Sequence, residues 1–316
     1  MKSNRSPPVS TKPSTKQRNK ALPDLEVSGR DEIADWIETC LLVRNDNHLG
    51  LNTLNEMARE LIDTSEHQVA LAVRSMERRS DLLADSYPFR ISEDYLQVDT
   101  GAQEFPYTSL LTMTATSPFG QLVDLSHAEF EASAIQFEKI TEEAIRSLLG
   151  PGSKALRFGY PNELGRPSGF QEAMVWLAEQ LEVELGDSYR PPKRKDGGVD
   201  VIGWKPFPDN KSGMPVLFVQ CTLQRDFTDK AADIELRHWS GWIKLQTPPT
   251  TVLAIPGHVA GHEKWEEISA RSMILDRCRL AGLIGTPTET NSVEGVKETT
   301  QNRIQQVAAR MDEVNW

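Results

Sequence analysis

Two polar residues interrupt two apolar runs twenty residues apart: Asp200 in KDGGVDVIGW (195–204) and Gln220 in PVLFVQCT (215–222). Strand side chains alternate between faces, so Val216, Phe218, Gln220 and Thr222 share one side and Leu217, Val219 and Cys221 the other. A hairpin closed through the polar loop Lys205–Gly213 brings Asp200 up to Gln220. A buried carboxylate needs a cation, a donor cluster or a metal beside it. The Asp200 carboxylate, the Gln220 side-chain carbonyl and the main-chain carbonyl of Cys221 are hard oxygen donors. They suit Mg2+ (or Mn2+), which prefers octahedral oxygen ligands and keeps several waters. Asp200 as a turn residue and Gln220 as a partner of nearby backbone are the plainer readings, but the metal accounts for both residues at once.

The neighbours have roles of their own. Asp196 shapes the DGG turn, and Gly197 and Gly198 allow close approach of backbone or phosphate. The Cys221 thiol reads as a small core hydrophobe, and Trp239 and Trp242 as core. Arg190, Lys193, Arg194 and Lys195 form the one dense basic cluster in an acidic body, either a guide for a phosphate backbone or a solvated loop.

The elements that must hold these groups follow from pattern. Residues 1–28 form a basic tail rich in Ser, Pro, Thr and Lys, expected to be disordered. From Asp31, Ile33, Trp36, Ile37, Cys40 and Leu41 make one helical stripe. A second helix is expected over Leu51–Leu61. A third, capped by Ser65 or Thr64, runs through Arg79 with Val69, Val73 and Met76 inward. Two short strands follow (Tyr87–Ile91 and Tyr95–Val98), an order compatible with a winged helix-turn-helix. A long helix over Ser126–Leu149, with Phe130, Phe137, Ile140, Ile145 and Leu148 inward, ends at GPGS (Gly150–Ser153), the expected boundary. This gives a mainly helical recognition or partner domain over 29–150 and a second domain over 151–316. In the latter, a helix over Gly169–Val183 carries Glu172. Strands are expected at Val199–Trp204, Pro215–Thr222 and Thr250–Pro256, with a helix at Thr228–Ile243 between the last two. The fold class is α/β, a mixed sheet flanked by helices.

Composition narrows the function. The 316 residues are 38% hydrophobic and 26% charged, and the net charge is −11 although residues 1–20 carry six bases and no acid. Such a body repels a phosphate backbone at long range, so nucleic-acid work requires local basic patches, bound cations or a partner. No apolar run approaches ~18 residues, which argues against a membrane span. No secretory pattern opens the chain. Three scattered cysteines (Cys40, Cys221, Cys278) fit a reducing cytoplasm. Neither GxxxxGK[ST] nor GxGxxG occurs.

The run KDGGVDVIGW…PVLFVQCT resembles the metal-binding core of the PD-(D/E)xK (restriction-endonuclease-like) nuclease superfamily, especially its modified-DNA, Mrr-type branch. That branch shows a glutamate-bearing helix, then DGG-(I/V)-D, then a strand ending in (E/Q)xK. The likeness covers roughly residues 169–256. The pieces RFGYP (157–161), KDGGVDVIGWKPF, VQCT and ILDRCRL (274–280) also resemble a set found together in bacterial proteins associated with phage defence. The resemblance implies a restriction-endonuclease-like sheet and a Mg2+-dependent endonuclease acting on DNA, with a protein partner in a defence complex. Asp200 matches the central metal ligand, Gln220 the E/Q ligand, and Glu172 the helix acid. Thr222 stands where the family has lysine, the residue that activates water and offsets phosphate charge. Losing such a group costs ~2.7–4 kcal/mol of transition-state stabilisation. Lys230, in QRDFTDKAAD, is the best replacement, with Arg225 and Lys195 lesser ones; otherwise Lys230 is a solvated surface residue. The competing readings are an inactive nuclease fold used for binding and a winged-helix regulator.

Overall fold

The computed structural model describes residues 25–187, 192, 196–209, 211, 213–259, 261–287 and 295–312. The tail through residue 24 and the cluster Arg190, Lys193, Arg194 and Lys195 lie outside the described residues.

The helical stripe that opens the sequence forms α1 (Arg30–Val43), and its five apolar members are all buried. A short strand β1 (His48–Gly50) leads into α2 (Leu51–Leu61). Helix α3 (Glu66–Leu83) starts at Ser65, whose hydroxyl accepts from the Gln68 amide while the Gln68 side chain returns to Ser65. This reciprocal cap selects Ser65 over Thr64 as the start. Strands β2 (Phe89–Ile91) and β3 (Tyr95–Val98) close a three-stranded antiparallel sheet in the order β1-β3-β2. Two short helices, α4 (Pro106–Thr112) and α5 (Pro118–Leu122), precede the long α6 (His127–Leu149), which Ser126 and Glu129 cap in the same reciprocal way. Phe137, Ile140 and Ile145 of α6 are buried, whereas Phe130 and Leu148, at its two ends, are exposed.

The second sheet has five strands: β4 (Lys154–Arg157), β5 (Val201–Trp204), β6 (Val216–Cys221), β7 (Thr250–Ala254) and β8 (Met273–Leu275), in that order across the sheet. The first three pair antiparallel and the last three parallel, so β6 is both the central strand and the point where direction changes. Alternation along β6 splits its side chains as the sequence implies. Leu217 and Val219 join the core that holds α6, whereas Val216 and Phe218 pack with α7 (Phe170–Leu181) and α8 (Leu236–Trp242). Three further helices, α9 (His262–Ser269), α10 (Arg277–Ile284) and α11 (Val296–Asp312), complete the chain. Among the described residues no helix is long and apolar enough to cross a membrane.

The core does not divide at Gly150. One buried cluster joins Ile33, Trp36 and Tyr107 to Val219, Val252, Leu280 and Val307. Gly150 ends α6, but α6 itself covers β4 and β5, so the glycine turns the chain within one packed body. Across this body runs a buried ionic network. The fully buried Arg277 grips Asp35 with two hydrogen bonds of 2.8 and 2.7 Å, and donates to the Pro256 carbonyl and the Thr114 hydroxyl. Arg79 bridges Asp35 and Glu38 at 2.9 and 2.7 Å, and the Tyr87 and Tyr107 hydroxyls donate to Glu38. Burial pushes the Asp35 carboxyl up, but Arg277 and Arg79 outweigh it and hold the group well below its ordinary value.

Removing one partner of a buried pair strands the other charge, a loss of about 3–5 kcal/mol. Arg277→Ala should therefore lower the urea midpoint by that equivalent, with helix signal and tryptophan fluorescence moving together. A shift no larger than that of a surface substitution would contradict the network's role.

Candidate functional site

The pairing of β5 with β6 runs to Val201↔Val219, and one step beyond it the Asp200 amide donates to the Val219 carbonyl at 2.8 Å. That step sets Asp200 beside Gln220. Asp200 Oδ2 accepts from Gln220 Nε2 at 2.9 Å and from the Cys221 amide at 2.7 Å. On its other side the Asp200 carbonyl takes the Phe158 and Gly159 amides, which follow β4. Asp200 and Gln220 are each 8% exposed. Gln220 spends its amide nitrogen on the carboxylate, and its Oε1 is buried without a hydrogen-bond partner. An unpaired buried acceptor costs about 1–3 kcal/mol. That carbonyl oxygen is free to accept from a donor or to ligate a cation.

The DGG turn explains itself locally. Asp196 Oδ1 accepts from the Gly198 amide at 2.8 Å, and the Gly197 carbonyl takes the Trp239 indole N–H at 3.1 Å. Both glycines have positive φ, and a Cβ on Gly198 would stand 2.7 Å from the Asp233 carbonyl oxygen. The groups that approach the glycines are therefore the chain's own, the Trp239 and Trp242 rings at Gly197 and the Asp233 backbone at Gly198. The Asp233 contact lies at the break in the helix expected over 228–243, which is instead a 3-10 turn (Thr228–Ala232) followed by α8. Trp239 and Trp242 are buried, as their spacing implied.

Lys230 lies in that 3-10 turn, mostly buried, with Nζ 3.6 Å from Asp233 Oδ2. Its charge also reaches Asp200 and lowers the Asp200 pKa. Thr222, in the family's lysine position, is occupied with ending the strand: its amide donates to Ala254 and its hydroxyl accepts from the Gln224 amide. Arg225 pairs with Glu26 at the surface.

The helix acid needs correcting. Glu172 is exposed in the first turn of α7, its carboxylate curled back over Gly169, and among the described contacts it touches neither Asp200 nor Gln220. α7 covers the sheet face of Phe218, and Glu172 stands on its outer side. The acid that bears on Asp200 is Glu138 of α6. Its Oε2 is buried 3.3 Å from Arg157 Nε and lacks a hydrogen bond. Burial pushes the Glu138 carboxyl up to about 7, with Arg157 opposing and Asp196 and Glu163 adding to the rise. Asp200 is raised well above its ordinary value by burial and then by Glu138 and Asp196, against the pull of the Cys221 amide and Lys230. The sequence did carry a sign of Glu138: it is an acid set between the buried Phe137 and Thr141.

Compared with known protein families, curated proteins and solved structures, the chain matches none.

The donor set suits a hard cation. Among the described residues no three His, Cys, Asp or Glu side chains form a metal-holding group. The oxygens here come from one carboxylate, one amide and the main chain, with Glu138 adjacent. The Cys221 carbonyl lies 3.4 Å from Gln220 Nε2, while the Cys221 amide is bound to Asp200. The Cys221 thiol is pushed well up by burial and then by Asp200 and Glu138, which fits a packing role and not a nucleophile. A cleft of about 260 Å³ opens beside the DGG turn, lined by Gly197, Ala232, Asp233, His238 and Trp242.

Glu138 holds its proton more tightly when folded than its ordinary 4.5. Its contribution to stability is thus fully present below about 4.5 and is lost as pH rises through about 7, a span worth on the order of 3 kcal/mol. Calorimetric melting of wild type between about pH 5 and 8 should show this decline, and Glu138→Gln should flatten it. Parallel curves for the two proteins would remove Glu138 from the account.

Proposed function

We propose that this chain is a metal-dependent nuclease that hydrolyses DNA phosphodiester bonds as the effector of a bacterial anti-phage system, working in the cytoplasm with a protein partner. The observation that carries this reading is the Asp200–Gln220 pair at the end of the central strand, with the buried Gln220 oxygen left unpaired. Its support in the fold is coarser: α6, three antiparallel strands and a parallel strand β7 behind a helical crossover make a mixed sheet flanked by helices.

Asp200 and the Gln220 and Cys221 carbonyls would hold Mg2+ or Mn2+, with Glu138 taking the part first given to Glu172. When bound, the ion neutralises phosphate charge and makes a water acidic enough to attack. Lys230, whose Nζ lies 3.6 Å from Asp233, would orient the attacking water and offset charge on the phosphate. Arg157 keeps Glu138 in place from below, as its guanidinium also donates to the Pro161 carbonyl.

A second reading has one observation in its favour. The order α1-β1-α2-α3-β2-β3 with sheet order β1-β3-β2 is that of a winged helix. In that fold the third helix reads DNA. Here α3 exposes Glu66, Glu77 and Asp81 beside Arg74 and Arg78, and the β2–β3 hairpin adds Glu93 and Asp94. A surface this acidic suits a protein partner better than a phosphate backbone, so the unit is read as a recruitment module of the nuclease.

Purified protein incubated with plasmid and single-stranded DNA in Mg2+ or Mn2+ tests the proposal. Cleavage should be abolished by Asp200→Asn and reduced about 10²–10³-fold by Lys230→Ala. DNA binding without cleavage under any condition, neighbouring gene products included, would make the protein an inactive binding module. Cleavage indifferent to Lys230→Ala would return that residue to the surface.

A further inference from the structure

We propose that Arg166 is a phosphate-binding residue of this site, gripping a DNA backbone phosphate next to the one cleaved; this rests on the nuclease reading above. Arg166 lies in the loop between β4 and α7 and is 4% exposed. Its guanidinium lies 4.3 Å over the Phe158 ring, Nη1 donates to the Pro167 carbonyl at 2.9 Å, and Nε is buried with no hydrogen-bond partner. Among the described residues no carboxylate is within ion-pairing distance of it. Every other buried arginine among the described residues is better satisfied. Arg79, Arg157 and Arg277 each meet a carboxylate, and Arg303 donates to the Thr112 carbonyl and the Ser133 hydroxyl.

Placement makes this vacancy functional. The Phe158 amide is hydrogen-bonded at 2.7 Å to the carbonyl of Asp200 itself, so the ring under Arg166 is tied directly to the candidate metal ligand. The same ring meets Trp239 edge-on at 5.9 Å, which fixes it from the far side. Burial works against the Arg166 charge, and the acid that offsets this is Asp196 of the DGG turn, whose Oδ1 is committed to Gly198. Arg166 is therefore a planar donor group, held by stacking on a residue whose amide bonds Asp200, with Nε unused and no carboxylate among the described residues close enough to pair with it. A phosphate oxygen supplies the missing acceptor, and a fork already ordered loses little entropy in taking it. Sequence alone did not single out Arg166, because nothing in GRPSG separates it from a loop residue.

The test is fluorescence anisotropy of a labelled duplex of about 25 base pairs in EDTA, where cleavage cannot occur, over a series of NaCl concentrations. Arg166→Gln should weaken binding about 5–20-fold and lower the salt slope by about one. Arg166→Lys should keep the slope and recover part of the affinity. Melting curves establish that each variant is folded; if Arg166→Gln is not, the proposal stands or falls on Arg166→Lys binding more weakly than wild type at unchanged slope. Unchanged affinity in the folded variants, or no binding by wild type, overturns the proposal. Arg166-dependent binding by a protein that never cleaves in Mg2+ or Mn2+ sinks the nuclease reading and leaves the phosphate site. Cleavage and binding both indifferent to Arg166 do the reverse.

Discussion

Two guanidiniums and two carboxylates buried together hold the molecule in register. Arg277 is out of contact with water, so its charge has to be balanced and its donors used inside the protein, and Asp35, the Pro256 carbonyl, Thr114 and Tyr107 do this. Asp35 is on α1 and Pro256 lies two residues past the end of β7. A single side chain thus ties the first helix to the exit of a strand more than two hundred residues later. β7 pairs with β6 at Gln220↔Leu253 and Cys221↔Ala254. The strand flanking the candidate site is fixed at its far end by the network, and the site inherits its precision from there. Buried ions are seldom the most stable choice. Here they join α1, α3 and α10 through directional bonds, which apolar contacts cannot supply.

The candidate site forms where the sheet changes direction. β6 continues past the last residue of β5 that pairs with it, and Asp200 turns in to cap the exposed amide of Cys221. The chain gathers acids at this point from separate elements: Glu138 from α6, Asp196 from the DGG turn, Asp233 from the end of the 3-10 turn. Burial first, then Glu138 and Asp196, push Asp200 towards holding a proton, and burial with Asp196 and Glu163 does the same to Glu138. An arrangement that raises two neighbouring carboxyls is a cost to stability, and such costs cluster at working sites.

Much of this was readable in the chain. The alternation in 215–222 placed Gln220 and Cys221 on opposite faces, the hairpin joined Asp200 to Gln220, and stripes and caps located α1, α2, α3 and α6. The misses share a cause. The family pattern of a glutamate-bearing helix before DGG points to Glu172 and carries no pointer to Glu138. Distance along the chain says nothing about which sheet face a helix covers, and Gly150 made α6 seem to belong elsewhere. The helix expected over 228–243 breaks because its Asp233 carbonyl is met by Gly198, a tertiary contact with no local signature. β4 is four residues long, Lys-Ala-Leu-Arg, too short and too mixed to announce a strand. The recognised fragment ILDRCRL proves to contain Arg277, so part of what looks like a functional motif is scaffold.

The absence of lysine at position 222 follows from the same geometry. Thr222 is 6% exposed and its amide belongs to Ala254, so a long cation there would lie buried under the neighbouring strand. Lys230 reaches the area from the loop side, where Asp233 compensates its charge until something else does. Around the pair, burial first and then Glu138 and Asp196 raise Asp200, against the Cys221 amide and Lys230. Burial likewise raises Glu138 to about 7, against the pull of Arg157. Under the nuclease reading proposed above, a cation held there would displace these protons, so its occupancy would follow pH through the same two carboxyls.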